Sequence, residues 1–182
     1  MIMDNFLMLD GSNSAAGVFT GTAVNSGTTF TVGNQASANI IDMSQIASSA
    51  KGLGRDIAVG DDLDLVSLVT AAFAGSSSTL QLQVQYAPDN GSGSPGSWVT
   101  VEQTIALTLA QLIAGAEIWR TKLPPLSPAG LYGTAVPKFL QMNYVVGTAN
   151  MTAGAIATFI CIDKTALGPQ LGYQSGYSNQ YL

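Results

Sequence analysis

Eleven acidic side chains, six basic ones and no histidine bound the chemistry open to this chain of 182 residues. Without imidazole there is no Ser-His-Asp or Cys-His relay, no imidazole metal site and no histidine acid–base catalyst. A single cysteine, Cys161, excludes an intrachain disulfide and a thiolate zinc cluster. It sits in the apolar run Phe159-Ile160-Cys161-Ile162, with no basic neighbour along the strand to lower its pKa. It reads as a small buried hydrophobe, not a nucleophile.

The carboxylates suggest little more. Asp61, Asp62 and Asp64 form an acidic cluster that could begin a calcium site, but the spacing does not match a calcium-binding loop. A turn leading into a strand explains the same residues. Glu102 and Glu117 are the only glutamates, and no local motif couples them as an acid–base pair. Gly52-Leu53-Gly54 precedes Arg55-Asp56 but lacks the Lys-Ser/Thr of a phosphate loop. Arg55 is therefore either half of an ion pair or a contact to another subunit. The expectation is a protein without catalytic residues, cofactor or metal, and not an enzyme.

Aromatic and apolar residues offer better candidates. Tyr173, Tyr177 and Tyr181 recur every fourth residue in a Gly/Ser/Asn/Gln-rich tail that also holds Leu171. Gly172 and Gly176 disfavour a helix there, so an extended arm that orders on a partner is expected. Phe6 and Leu7 form an apolar island near the other end. Phe6, Leu7, Arg55, Leu171, Tyr173, Tyr177 and Tyr181 are thus the candidate partner-interface residues. Trp98 and Trp119 could form a sugar platform but read more simply as core or rim residues.

The elements that must carry these residues are strands. In residues 79–86, Leu80, Leu82, Val84 and Tyr86 alternate with Gln81, Gln83 and Gln85, the period of a strand with one buried face. Residues 64–73 read as a largely buried strand, joined to it through the hairpin-like turn 75–78. Further strands are expected near 28–32 and over 39–42, 98–105, 117–123, 138–147 and 155–162. Thr108-Leu109-Ala110-Gln111 fits a capping box, predicting one short helix of about two turns closed by Gly115. Loops are expected over 43–54, 88–96 and 124–137. The division is an N-terminal arm and first strand (1–37), a core (38–165) and an extended C-terminal arm (166–182). The whole reads as an all-β, jelly-roll-like antiparallel sandwich of about eight strands.

Only 9% of residues are charged, against about 25% in an average soluble domain. A net charge of −5 argues against nucleic acid as partner. The N-terminus lacks the basic region of a secretory signal, and no stretch approaches the length of a membrane span.

Several motifs occur in a familiar order. These are NIID, GRDIAVGDDLDLVSLVTAAF, LQLQVQYAPD, WVTV, ALTLAQLIAG, KLPP, FLQMNYVVGT and MTAGAIATFICI. The arrangement, over about residues 1–165, resembles the Bbp16-like capsid cement (decoration) proteins of tailed bacteriophages. The resemblance implies a jelly roll made in the host cytoplasm and carried on the outer capsid surface of the virion. Its partners would be the major capsid protein and its own copies, as a dimer or trimer on local symmetry axes. A carbohydrate-binding or adhesin-type sandwich is the alternative expectation.

Overall fold

The alternation of residues 79–86 becomes strand β7 (Thr79–Pro88), with Leu80, Leu82, Val84 and Tyr86 buried and the glutamines on the other face. In the computed structural model, residues 8–13, 19–20, 30–42, 63–123 and 137–161 are described. The other strands, in chain order, are β1 (Met8–Asp10), β2 (Ser12–Asn13), β3 (Phe19–Thr20), β4 (Gly33–Ala36), β5 (Ile41–Asp42), β6 (Asp64–Gly75), β8 (Val99–Gln103), β9 (Leu107–Thr108), β10 (Glu117–Lys122), β11 (Pro137–Gly147) and β12 (Met151–Cys161).

Two antiparallel sheets form the sandwich. The first runs β1-β12-β6-β10 and the second β4-β11-β7-β8, with β5 also on β11 and β9 also on β7. The chain alternates between them at β1 to β4, β6 to β7, β8 to β10 and β11 to β12. This strand order, two interleaved Greek keys, is that of a jelly roll. Among the described residues, eight strands make the two layers. β5 and β9 are short additions, and β2 pairs with β3 in a separate ribbon.

The link 75–78 is therefore not a hairpin turn, as the spacing suggests. β6 and β7 lie in opposite sheets, and each pairs with a distant strand: β6 with β12, β7 with β11. A short turn between two strands does not reveal whether they pair or face each other. Their apolar faces decide it, since both must turn to the same core. The link 147–151 crosses between the sheets in the same way, and the two corners stack. Ser78 Oγ donates to the Asn150 carbonyl at 3.1 Å. Each corner holds one non-glycine residue with left-handed backbone, Ser77 (φ 58°) and Thr148 (φ 69°).

The expected short helix is a single 3-10 turn, Leu109–Gln111. The capping box is present, with the Thr108 N–H donating to Gln111 Oε1 at 2.9 Å. Thr108 also closes β9 on β7, and Gly115 turns the chain with φ 84°. Those two constraints leave room for one turn, not two. Leu112 inserts into the core, while Ile113 stays exposed.

Residues of both sheets interdigitate in one core that includes Leu65, Val69, Leu82, Tyr86, Met142 and Ile156, with Trp119 packed at its margin. Phe30 and Phe73 meet edge-on, 5.0 Å between ring centres. Met8, Val66, Phe159 and Cys161 form a second buried cluster on the other side of the first sheet. Cys161 is thus a buried apolar neighbour, as its sequence context suggests. No helix among the described residues is long and apolar enough to cross a membrane.

Candidate interaction surface

A buried polar chain ties the two sheets together. Tyr144 lies on β11 in phase with Leu140, Met142 and Val146, so its ring points into the core. Its hydroxyl donates to Asp10 Oδ2 and lies 2.9 Å from Thr158 Oγ1. Thr158 in turn meets Ser67, its partner in the β12–β6 register, at 3.0 Å. The Ala38 N–H donates to Asp10 Oδ1 at 2.9 Å. Strict alternation after Met8 would turn Asp10 away from this group. A bulge in the β1–β12 register, where Met8 faces Phe159 and Asp10 faces Thr158, re-aims it inward.

Burial penalises the Asp10 carboxylate and lifts its pKa to about 6, against the pull of its hydrogen bonds from Tyr144 and Ala38. Burial also pushes the Tyr144 phenol well above its usual value, and the adjacent carboxylate adds to the shift.

The outer face of the second sheet carries a different network. Gln141 Nε2 donates to Gln85 Oε1 at 2.8 Å, and Asn143 Nδ2 donates to Gln83 Oε1 at 2.8 Å. Gln83 Nε2 donates to Gln103 Oε1 at 3.0 Å, and Gln85 Nε2 to Thr100 Oγ1 at 3.1 Å. Amides on β11, β7 and β8 thus bond across three neighbouring strands without a charge. Gln141 and Asn143, in the middle, are each only 5% exposed.

Among the described residues, charges keep away from the two corners and gather toward the opposite end of the sandwich. Asp64 begins β6, Lys138 stands near the start of β11 and Asp42 ends β5 opposite Phe139. Arg120 pairs in register with Val66, Lys122 with Asp64, Glu117 with Leu68, and Glu102 with Val84. Asp10 pairs with Thr158. Toward the corners, the described residues 30–36, 69–83, 103–116 and 143–157 contain no Asp, Glu, Lys or Arg.

Several of these charges engage one another. Arg120 Nε donates to Glu117 Oε1 at 2.7 Å, and its Nη1 lies 3.6 Å from Asp64 Oδ2. The hydrogen bond to Glu117 raises the Arg120 pKa. Lys138 Nζ donates to Asp89 Oδ2 at 2.6 Å, and the pair shifts apart, Asp89 down and Lys138 up. The Gly93 and Gly91 N–H groups also donate to Asp89. Glu102 accepts from the Thr121 hydroxyl at 2.7 Å, a bond from β10 of the first sheet to β8 of the second. Glu102 and Glu117, which stand on different sheets, therefore serve different partners, Thr121 and Arg120, neighbours on β10.

Of the sequence-based candidates, Phe6, Leu7, Arg55, Leu171, Tyr173, Tyr177 and Tyr181 all lie outside the described residues. So do Asp61 and Asp62, leaving Asp64 as the described member of that cluster. Among the described residues, no group of three or more Cys, Asp or Glu side chains could hold a metal ion. The Asp10 network escapes a sequence reading that looks for local motifs. Its signal is nonetheless present, because Ser67, Tyr144 and Thr158 occupy the inward phase of otherwise apolar strands.

A two-sheet jelly roll with its polar interior spent on cross-sheet bonds is a β-sandwich scaffold, here with an uncharged amide network on the outer face of its second sheet. The sequence matches the Bbp16 family, which is associated with bacteriophages, over residues 14–160. The chain belongs to that family. No curated protein matches the sequence.

Proposed function

We propose that the protein is a capsid cement protein, which binds the outside of an icosahedral phage shell and strengthens contacts between major capsid proteins. Membership of the Bbp16 family carries this reading. Physical chemistry supports it. A ligand that binds only the assembled shell adds its binding free energy to the stability of the shell. Many weak copies on a repeating lattice sum through multivalency. Such a protein needs a rigid scaffold and an outer surface that is inexpensive to desolvate. The jelly roll supplies the first. The charge-free half and the amide face, whose hydrogen bonds are already made, supply the second.

The glycan-binding alternative draws less support from the same face. Gln83, Gln85, Gln141 and Asn143 spend amide groups on each other that a sugar would require. The test is a reconstruction of the purified phage particle. Density fitting this jelly roll on the outer shell, at junctions between capsid subunits, is the expected result. Density confined to the tail, or binding to a glycan array by the isolated protein, would displace the cement reading.

A further inference from the structure

We infer that the protein seats on an uncharged, weakly polar surface of the shell through the corner end of its sandwich, the end formed by the links 75–78 and 147–151. This rests on the cement reading and adds the surface that carries it.

The first argument is charge. No charged residue among those described stands at the corner end: most lie toward the opposite end, while Glu102 faces Val84 at mid-sheet and Asp10 is buried beside Tyr144. Interface centres are depleted of charge because a charge must shed water to be buried. The second is exposed apolar area. Of the four large apolar side chains exposed among the described residues, Val32 (54%), Ile105 (75%) and Ile113 (57%) belong to the charge-free half, and Ile40 (47%) lies toward the charged end. Val32 is held at the corner itself, its N–H donating to Asn150 Oδ1 at 2.8 Å. Ile113 sits beside the other corner strand, since the Phe73 N–H donates to the Leu112 carbonyl. Exposed Ala72 and Ala74 flank Phe73 at the corner end of β6. Small side chains permit close approach and lose little rotamer freedom on contact.

The third argument is area, and it selects the occupant. Strands about 4.8 Å apart and sheets about 10 Å apart give the end of two four-stranded layers a cross-section of roughly 400 Å². A stable pairwise complex buries about 800 Å² on each partner. The corner end is too small to hold a second copy in solution by itself. It suits one contact repeated many times on a lattice, where neighbouring sites add avidity.

The experiment measures binding of the full chain to shells lacking it, over a series of salt concentrations. Ile113→Asp and Val32→Asp carry a charge to the corner end. Lys138→Ala is the control at the charged end, and melting curves verify that each variant is folded. Wild-type binding should be nearly independent of salt. Either Asp variant should weaken it by at least about tenfold, the control by less than about twofold. Loss of binding in the control alone, or binding that collapses with salt, would assign the charged end and overturn the inference while leaving the cement function standing. A wild-type dimer in solution that Ile113→Asp dissociates would overturn it in favour of a second copy. No binding to shells by any form would reject the cement reading itself.

Discussion

Tyr144 and Asp10, 134 residues apart in sequence, meet through a hydrogen bond between the phenol and the carboxylate inside the sandwich. The bond joins β11 of the second sheet to β1 of the first. It gives the short N-terminal strand a polar anchor that its three residues could not provide by pairing alone. The Asn39 N–H donates to the Leu9 carbonyl at 3.0 Å, and the Asn39 side-chain amide to the Met8 carbonyl, completing the attachment.

Stability should depend on pH through Asp10. Its folded pKa of about 6 lies above the ordinary value of 3.8, so the folded state binds the proton more tightly. The protonated form is favoured below pH 4, and that advantage is lost as pH rises through 6. The full swing from this group is about 3 kcal/mol at most. Asp89 acts in the opposite sense and a lower window: its pKa is depressed, so its contribution is lost as pH falls below the ordinary carboxylate value. Urea denaturation between pH 4 and 7 should show stability falling with rising pH, and Asp10→Asn should flatten that slope. An unchanged slope would assign the titration to another group.

Tyr144→Phe removes the phenol and keeps the ring. The cost should be about 1–3 kcal/mol, the range for leaving a buried polar partner unsatisfied. Because the phenol lowers the Asp10 pKa, its loss should raise that pKa further. Carboxyl chemical shifts followed by NMR across pH give the second readout. A variant as stable as the wild type would show that water replaces the phenol without cost.

Gly154→Ala should be among the most damaging single-methyl changes. Gly154 has φ +138°, and an added Cβ would fall 2.1 Å from Cδ1 of Phe73. Phe73 cannot retreat freely, because its ring packs edge-on against Phe30. Left-handed strain and overpacking together should cost about 2–4 kcal/mol by thermal or chemical denaturation. A loss below about 0.5 kcal/mol would mean that β12 shifts to accommodate the methyl.

Asn143→Ala tests the amide face. Asn143 donates to Gln83 and is almost fully buried, so truncation should cost about 1–2 kcal/mol. Asn143→Asp should cost more, since its carboxylate would confront the Gln83 carbonyl oxygen it now serves. Equal stability of all three forms would remove the network from any structural role.

Much of this protein is decided by the sequence itself. The period of two in residues 79–86 commits β7 to one apolar and one amide face, because successive side chains on an extended chain point to opposite sides. The capping box of Thr108 and Gln111 is likewise local, and it forms as the spacing requires. The low charge is compositional, and it already favours a protein that spends its surface on contacts. Tertiary structure decides what periodicity cannot encode. It makes the link 75–78 a crossing between sheets and not a hairpin, because burial of both apolar faces outweighs the proximity of the strands. It turns Asp10 inward by a bulge, and it collects Asp10, Ser67, Tyr144 and Thr158 from four strands into one buried chain. Among the described residues it also sorts the scarce charges away from the corner end. That sorting depends on strand direction and register, which long-range pairing fixes and no local pattern carries.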